Sequence, residues 1–200
     1  MCEYDIYRIM DLVESIGEDS VRDIFSDFSC EYRDGIKNDE IEIFLRKSAI
    51  EFSKRKMSIT YLVTDKESRM VGYFTLTHKP ITICDAALNS KANKKRMMRH
   101  ATFDERLDAY SVSAFLIAQF SKNYSIPPDE RISGSDLMDL TLSLIDDVQR
   151  QIGGGVVFLE CENHPELLDF YSGMPHSFFR FGERFSEKDG VKYQQMMRFL

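Results

Sequence analysis

Apolar residues along the chain change period twice, and those changes divide it into elements. Tyr4 to Met10 mixes apolar and charged positions and fits a first strand or the start of a helix. From Ser20 to Phe28 the period is helical, with Val21, Ile24, Phe25 and Phe28 on one face. Asp34-Gly35 breaks the pattern as a turn, and a second helix is predicted from Asp39 to about Lys54. Its buried stripe is Ile41, Phe44, Leu45, Ser48, Ala49 and Phe52. The period then becomes extended. Ser58–Thr64 and Met70–Thr77 read as an antiparallel hairpin around the polar turn Asp65–Arg69, and Pro80–Ile83 prolongs the second strand.

The stretch from Asp108 to Tyr171 carries the organisation of the rest. Tyr110 to Phe120 is almost continuously apolar, which predicts a central strand buried on both faces. Pro127-Pro128 stops regular structure in the loop that follows. Leu137, Leu140, Leu144 and Val148 make the stripe of a helix running to Gln151, and Gly153-Gly-Gly155 releases the chain into the strand Val156–Glu160. A helix followed by a strand here predicts a parallel crossover back beside Tyr110–Phe120. Pro165 opens a short helix through Tyr171, and Phe178–Phe185 with Tyr193–Leu200 reads as a final hairpin. The order makes an α/β protein with a mixed sheet.

Composition narrows the picture. Two hundred residues fit one domain. A formal charge of -7 does not attract nucleic acid on average and suits a basic substrate such as an amine. Cys2, Cys30, Cys84 and Cys161 are scattered among equally dispersed histidines, so no metal-ligand spacing appears and reduced thiols are expected. The N-terminus lacks the basic-then-apolar pattern of a signal peptide, and no apolar run reaches membrane-spanning length. A cytoplasmic location without membrane contact is the default expectation. Residues 89–106 are read as a solvated, mobile loop with a basic cluster at Lys91, Lys94, Lys95, Arg96 and Arg99. The functional alternative for this loop is a substrate-side or phosphate-binding segment.

Two constellations carry candidate chemistry. Arg131-Ile132-Ser133-Gly134-Ser135-Asp136 opens the helix after the central strand, so its backbone N–H groups and the helix dipole suit a diphosphate. Ser133 and Asp136 equally make an ordinary capping sequence, in which the side chains take those N–H groups. Tyr171, after the next strand, is a phenol able to protonate a leaving thiolate, or else a buried structural tyrosine.

Together these residues resemble the GNAT superfamily of acyl-CoA-dependent N-acetyltransferases. Its Q/R-x-x-G-x-G/A pattern is met by Arg131 and Gly134 and departs at Asp136. Its Phe-Tyr pair is met by Phe170-Tyr171, whereas the Gly-Phe that usually follows is Ser172-Gly-Met-Pro-His-Ser-Phe178 here. The asparagine common seven residues before the tyrosine is His164, with Asn163 one place off. The order of elements from Phe28-Ser-Cys30 through Val71–Leu76 to Tyr110–Gln119 resembles a branch that includes toxins of toxin–antitoxin modules.

The resemblance implies a single GNAT-like domain over 1–200. It implies a mostly antiparallel mixed sheet with a splayed parallel pair of central strands, flanked by helices. Acetyl-CoA is the implied co-substrate, with its pantetheine along Leu116, Ile117 and Ala118, its pyrophosphate on Arg131 to Asp136, and a further contact at Asn163. An amine of a small molecule, a peptide or an aminoacyl-tRNA attacks the thioester, and Tyr171 protonates the sulfur. Glu160, Glu162 or water takes the amine proton. The alternatives are a toxin acetylating aminoacyl-tRNA and a non-catalytic acyl-CoA- or partner-binding module, and a homodimer is among the assemblies allowed. For the basic loop, the resemblance adds the 3'-phosphate of CoA to RNA as a phosphate that it could meet.

Overall fold

The computed structural model describes residues 4–32, 36–37, 39–187 and 190–200. The expected Asp34-Gly35 turn and Cys2 lie outside them.

Eight strands form one sheet: β1 (Asp5–Arg8), β2 (Ile59–Thr64), β3 (Met70–Cys84), β4 (Thr102–Asp104), β5 (Ala109–Lys122), β6 (Val156–Glu162), β7 (Phe179–Ser186) and β8 (Val191–Phe199). The strand order is β1-β2-β3-β5-β6-β8-β7, with β4 paired to β5. The registers of β1 with β2, β2 with β3, β4 with β5, β6 with β8 and β7 with β8 are antiparallel, and β5 and β6 run parallel. The expected mixed sheet with a central parallel pair is therefore present. The helices are α1 (Ile9–Ile16), α2 (Glu18–Ser26), α3 (Asp39–Ile43), α4 (Ala49–Lys54), α5 (Lys91–Met97), α6 (Gly134–Ile152) and α7 (Pro165–Ser172), and a π-helical turn, Phe44–Ser48, joins α3 to α4.

The chain folds as two compact units, 1–77 with 118–142 and 78–117 with 143–200. In the first, Val21, Phe25, Phe28, Leu45 and Ala49 from the helical stripes foreseen in the sequence pack with Leu62 and Tyr73, and Ile9 and Ile50, which no stripe included, complete the core. Phe28 meets Tyr73 edge-on at 5.2 Å, and the Tyr73 hydroxyl donates to the carbonyl of Ile41 at 2.8 Å, which satisfies a fully buried phenol. The period near the N-terminus divides at Arg8–Ile9, strand before and helix after, and Gly17 at φ +85° separates α1 from α2. Met70 to Leu76 are all buried, so β3 is covered on both faces rather than one. At Gly72 an added Cβ would stand 2.9 Å from the Ser121 carbonyl oxygen and 3.2 Å from the Leu137 side chain, so this position has room only for hydrogen.

In the second unit, Ile83, Leu88, Met97, Tyr110, Val112, Ala114, Val156, Phe158, Met197 and Phe199 form the core. The segment 89–106 is not the mobile loop expected from its sequence. Ser90 caps α5 by accepting from the Asn93 N–H at 3.1 Å, Lys94 pairs with Asp85, and Met97 is fully buried. The His100 imidazole occupies the space a Cβ on Gly155 would need, and Arg96 stacks 5.0 Å above the Phe199 ring. The dense lysines hide this in the sequence, because its two large buried apolar side chains, Leu88 and Met97, are nine residues apart.

Candidate functional site

In the first unit, Ser133 stands immediately before α6. Its hydroxyl oxygen accepts from the Asp136 N–H at 3.0 Å and its O–H donates to the Asp136 carboxylate at 2.7 Å, while its carbonyl accepts the Leu137 N–H at 3.1 Å. The Ser133 side chain thus caps the helix start, and its hydroxyl ties down the Asp136 carboxylate. It takes the Asp136 N–H out of the set of free donors expected from the sequence, whereas the Gly134 N–H has no acceptor among the described residues. Ile132 is buried in the core. The Arg131 guanidinium is also committed locally. Its Nε donates to the Ile126 carbonyl at 3.1 Å, its Nη2 donates to those of Ile126 and Tyr124 at 2.7 and 3.0 Å, and it lies 4.6 Å above the Tyr124 ring. Arg131 thus shapes the loop that precedes the helix.

Lys122, at the end of β5, lies over the same Tyr124 ring at 5.4 Å, and burial together with Arg131 pulls its ammonium below the usual lysine range. Asn123 beside it is buried and fully engaged. Its carbonyl oxygen accepts from the Ser29 and Ser125 N–H groups and the Ser125 hydroxyl, and its amide donates to the Met70 carbonyl. Neither residue was picked out from the sequence, where Lys122-Asn-Tyr124 looks like the polar end of an apolar run.

In the second unit, the parallel ladder of β5 and β6 is three pairs long: Phe115 to Val157, Leu116 to Phe158 and Ile117 to Leu159. Leu116 and Ile117 are therefore already in register with a strand, and this corrects the expectation that they would pair with a ligand's amides. Ala118, which is exposed, is the first β5 residue beyond the ladder.

Tyr171 sits on α7, whose start is set by Pro165 and by the His164 carbonyl accepting from the Leu167 and Leu168 N–H groups. Its ring packs edge-on against Phe170 at 5.0 Å and Phe178 at 6.1 Å. Among the described residues nothing hydrogen-bonds its hydroxyl. Burial, with a smaller contribution from Cys161, raises the phenol well above the ordinary tyrosine range. Burial likewise pushes the Cys161 thiol up to about 11, which leaves it a neutral neighbour rather than a nucleophile at neutral pH.

Glu160 is held on both oxygens, by Arg184 Nε at 2.7 Å and Gln195 Nε2 at 2.8 Å. Arg184 in turn lies 4.9 Å over the Tyr193 ring. Glu162 and Asn163 are exposed beyond it at the strand's end.

Solved structures share this fold. AtaT complexed with acetyl-methionyl-tRNAfMet matches over 96% of this chain and 94% of its own, with a TM-score of 0.62 at 16% identity. A tyrosine-to-phenylalanine mutant of KacT matches over 96% and 94%, with a TM-score of 0.61 at 13% identity. The NatC complex bound to Gag peptide and CoA matches over 99% of both chains, with a TM-score of 0.53 at 14% identity. The chain has the GNAT fold. Identities this low establish the GNAT fold alone. No protein-family model and no curated protein matches the sequence.

Proposed function

We propose that the chain is a GNAT N-acetyltransferase that moves an acetyl group from acetyl-CoA to a primary amine by direct attack. The observation that carries this reading is Tyr171, a buried phenol on the helix after β6 whose hydroxyl has no partner among the described residues. Two structures of the same fold contain acetyl-CoA, and one contains CoA. β5 from Ala118 onward is the stretch of that strand outside the ladder, and it takes the pantetheine. The turn at Arg131 to Asp136 takes the pyrophosphate through Gly134 and its neighbours.

In this reading the amine nitrogen bonds to the thioester carbon and the C–S bond breaks. The nitrogen releases one proton to solvent, and the sulfur leaves as a thiolate that becomes the thiol. Burial makes Tyr171 hold its proton more tightly than a thiol does. Its contribution is therefore a hydrogen bond to the developing thiolate, with full transfer completed from solvent. Glu160 has both oxygens engaged, so it orients the strand end and the base role passes to water.

Tyr171→Phe tests the proposal. Loss of one donor to developing charge lowers kcat by about 10²–10³, with CoA binding retained. The reading fails if a CoA-release assay across amines, polyamines, peptides and charged tRNA shows undiminished transfer by the variant.

One observation favours a second reading, in which the acceptor amine is carried on RNA. Lys91, Lys95, Arg96 and Arg99 have no carboxylate partner among the described residues, although the protein as a whole is acidic. Replacing all four by glutamine abolishes retention of labelled tRNA in a filter assay if RNA is the carrier. Unchanged retention excludes this reading.

A further inference from the structure

The end of β5 and the loop that follows hold two cations on one aromatic ring, with no carboxylate paired to either among the described residues. Lys122 Nζ lies 5.4 Å and Arg131 Cζ 4.6 Å from the centre of the Tyr124 ring. The two cations differ in freedom. Arg131 is pinned by three hydrogen bonds to the carbonyls of Tyr124 and Ile126. Lys122 is half-buried and meets no carboxylate among the described residues, and the charge that bears on its ammonium is Arg131.

A half-buried ammonium facing a like charge is disfavoured on both counts. A solvated lysine at the strand's end would avoid this, and an anion would reverse it, since both cations would then attract the same group. Ser133, two residues beyond Arg131, leads into α6, and the positive end of that helix adds to the same field. The Ser133–Asp136 cap takes one main-chain donor there, which leaves fewer for a diphosphate at this turn.

We infer that Lys122 is the charged contact for a phosphate of the acyl-CoA co-substrate, with Tyr124 and the pinned Arg131 as its rigid backing. This rests on the reading of the chain as an acyl-CoA enzyme and adds a residue to its binding machinery. It also explains why a lysine, with its mobile point charge, stands beside an arginine-braced ring. Arg131 fixes the loop, and Lys122 is left to reach the ligand.

The test is calorimetric titration of CoA, dephospho-CoA and inorganic pyrophosphate into wild type, Lys122→Met and Lys122→Arg, with pantetheine followed by thermal shift. Lys122→Met weakens CoA by about tenfold or more, the scale of one charge-assisted phosphate contact, and leaves pantetheine unchanged. Lys122→Arg keeps most of the affinity. Methionine retains the aliphatic stem over Tyr124, so the melting temperature stays level or rises. A loss shared by dephospho-CoA places Lys122 on the pyrophosphate, and a loss confined to CoA places it on the 3'-phosphate. Equal CoA affinity in Lys122→Met and wild type overturns the inference, as does an equal loss for pantetheine. If wild type binds pyrophosphate through Lys122 but does not bind CoA, the acyl-CoA reading falls and the anion site stands. If it binds neither, both fall.

Discussion

At the end of β5, one amide side chain joins three stretches of backbone. Asn123 accepts from Ser29, 94 residues earlier, and donates to Met70, 53 residues earlier, while its carbonyl oxygen also takes the Ser125 N–H and hydroxyl. Truncation would orphan the Met70 carbonyl and the Ser29 N–H inside the protein. Asn123→Ala is therefore expected to cost about 2–4 kcal/mol in urea unfolding, and a loss under 1 kcal/mol would show that water replaces the amide. Tyr171 makes a prediction of a different kind. Its raised pKa keeps it protonated through neutral and mildly alkaline pH, and the donor form is lost only as pH climbs past that raised value. The pH profile of kcat/KM should accordingly have no alkaline limb up to about pH 9, and Tyr171→Phe should lower it without changing its shape. An alkaline fall that disappears in the variant would mean that the phenol titrates in this range. Tyr171 stood out in the sequence because it follows Phe170 after an apolar strand. Asn123 and Lys122 did not, because their partners are distant or aromatic and leave no periodic trace.

Elements with a clear period were the most legible. The β2–β3 hairpin, the central β5, α6, β6 and the last hairpin lie where apolar spacing placed them, because those spacings are the buried faces themselves. The period did not disclose how β3 is covered. Gly72 is needed there because the Ser121 backbone and Leu137 close over it, and no pattern of neighbouring residues encodes that approach. Gly72→Ala is expected to destabilise the protein by about 1–3 kcal/mol through overpacking, read as a lower urea midpoint at unchanged slope. An unaltered midpoint would show that Leu137 moves aside freely. α5 was missed for the opposite reason. Its few anchors are outnumbered by lysines, so a helix held by Met97, a serine cap and one ion pair looked like solvated chain.

For the molecule as a whole, a net charge of -7 coexists with a local excess of cations on α5 and the turn after it, where Lys91, Lys95, Arg96 and Arg99 have no carboxylate partner among the described residues. Net charge alone argues against nucleic acid, but its distribution does not. If RNA is the carrier of the acceptor, four phosphate contacts would give log K a slope against log salt of about -3 for single strands, and the four-glutamine protein would have a slope near zero. The parallel pairing of β5 with β6 was legible because a helix between two apolar strands permits a parallel crossover. The brevity of the resulting ladder was not, since nothing in the composition of β5 or β6 marks Ile117 and Leu159 as its last pair. The Ser133–Asp136 cap has one more consequence. A diphosphate arriving at α6 would find the carboxylate of Asp136 already in attendance on the helix end, so its arrival would be a substitution of one anion for another. The heat evolved should then be small, release should be quick, and Asp136→Asn should make the occupant linger.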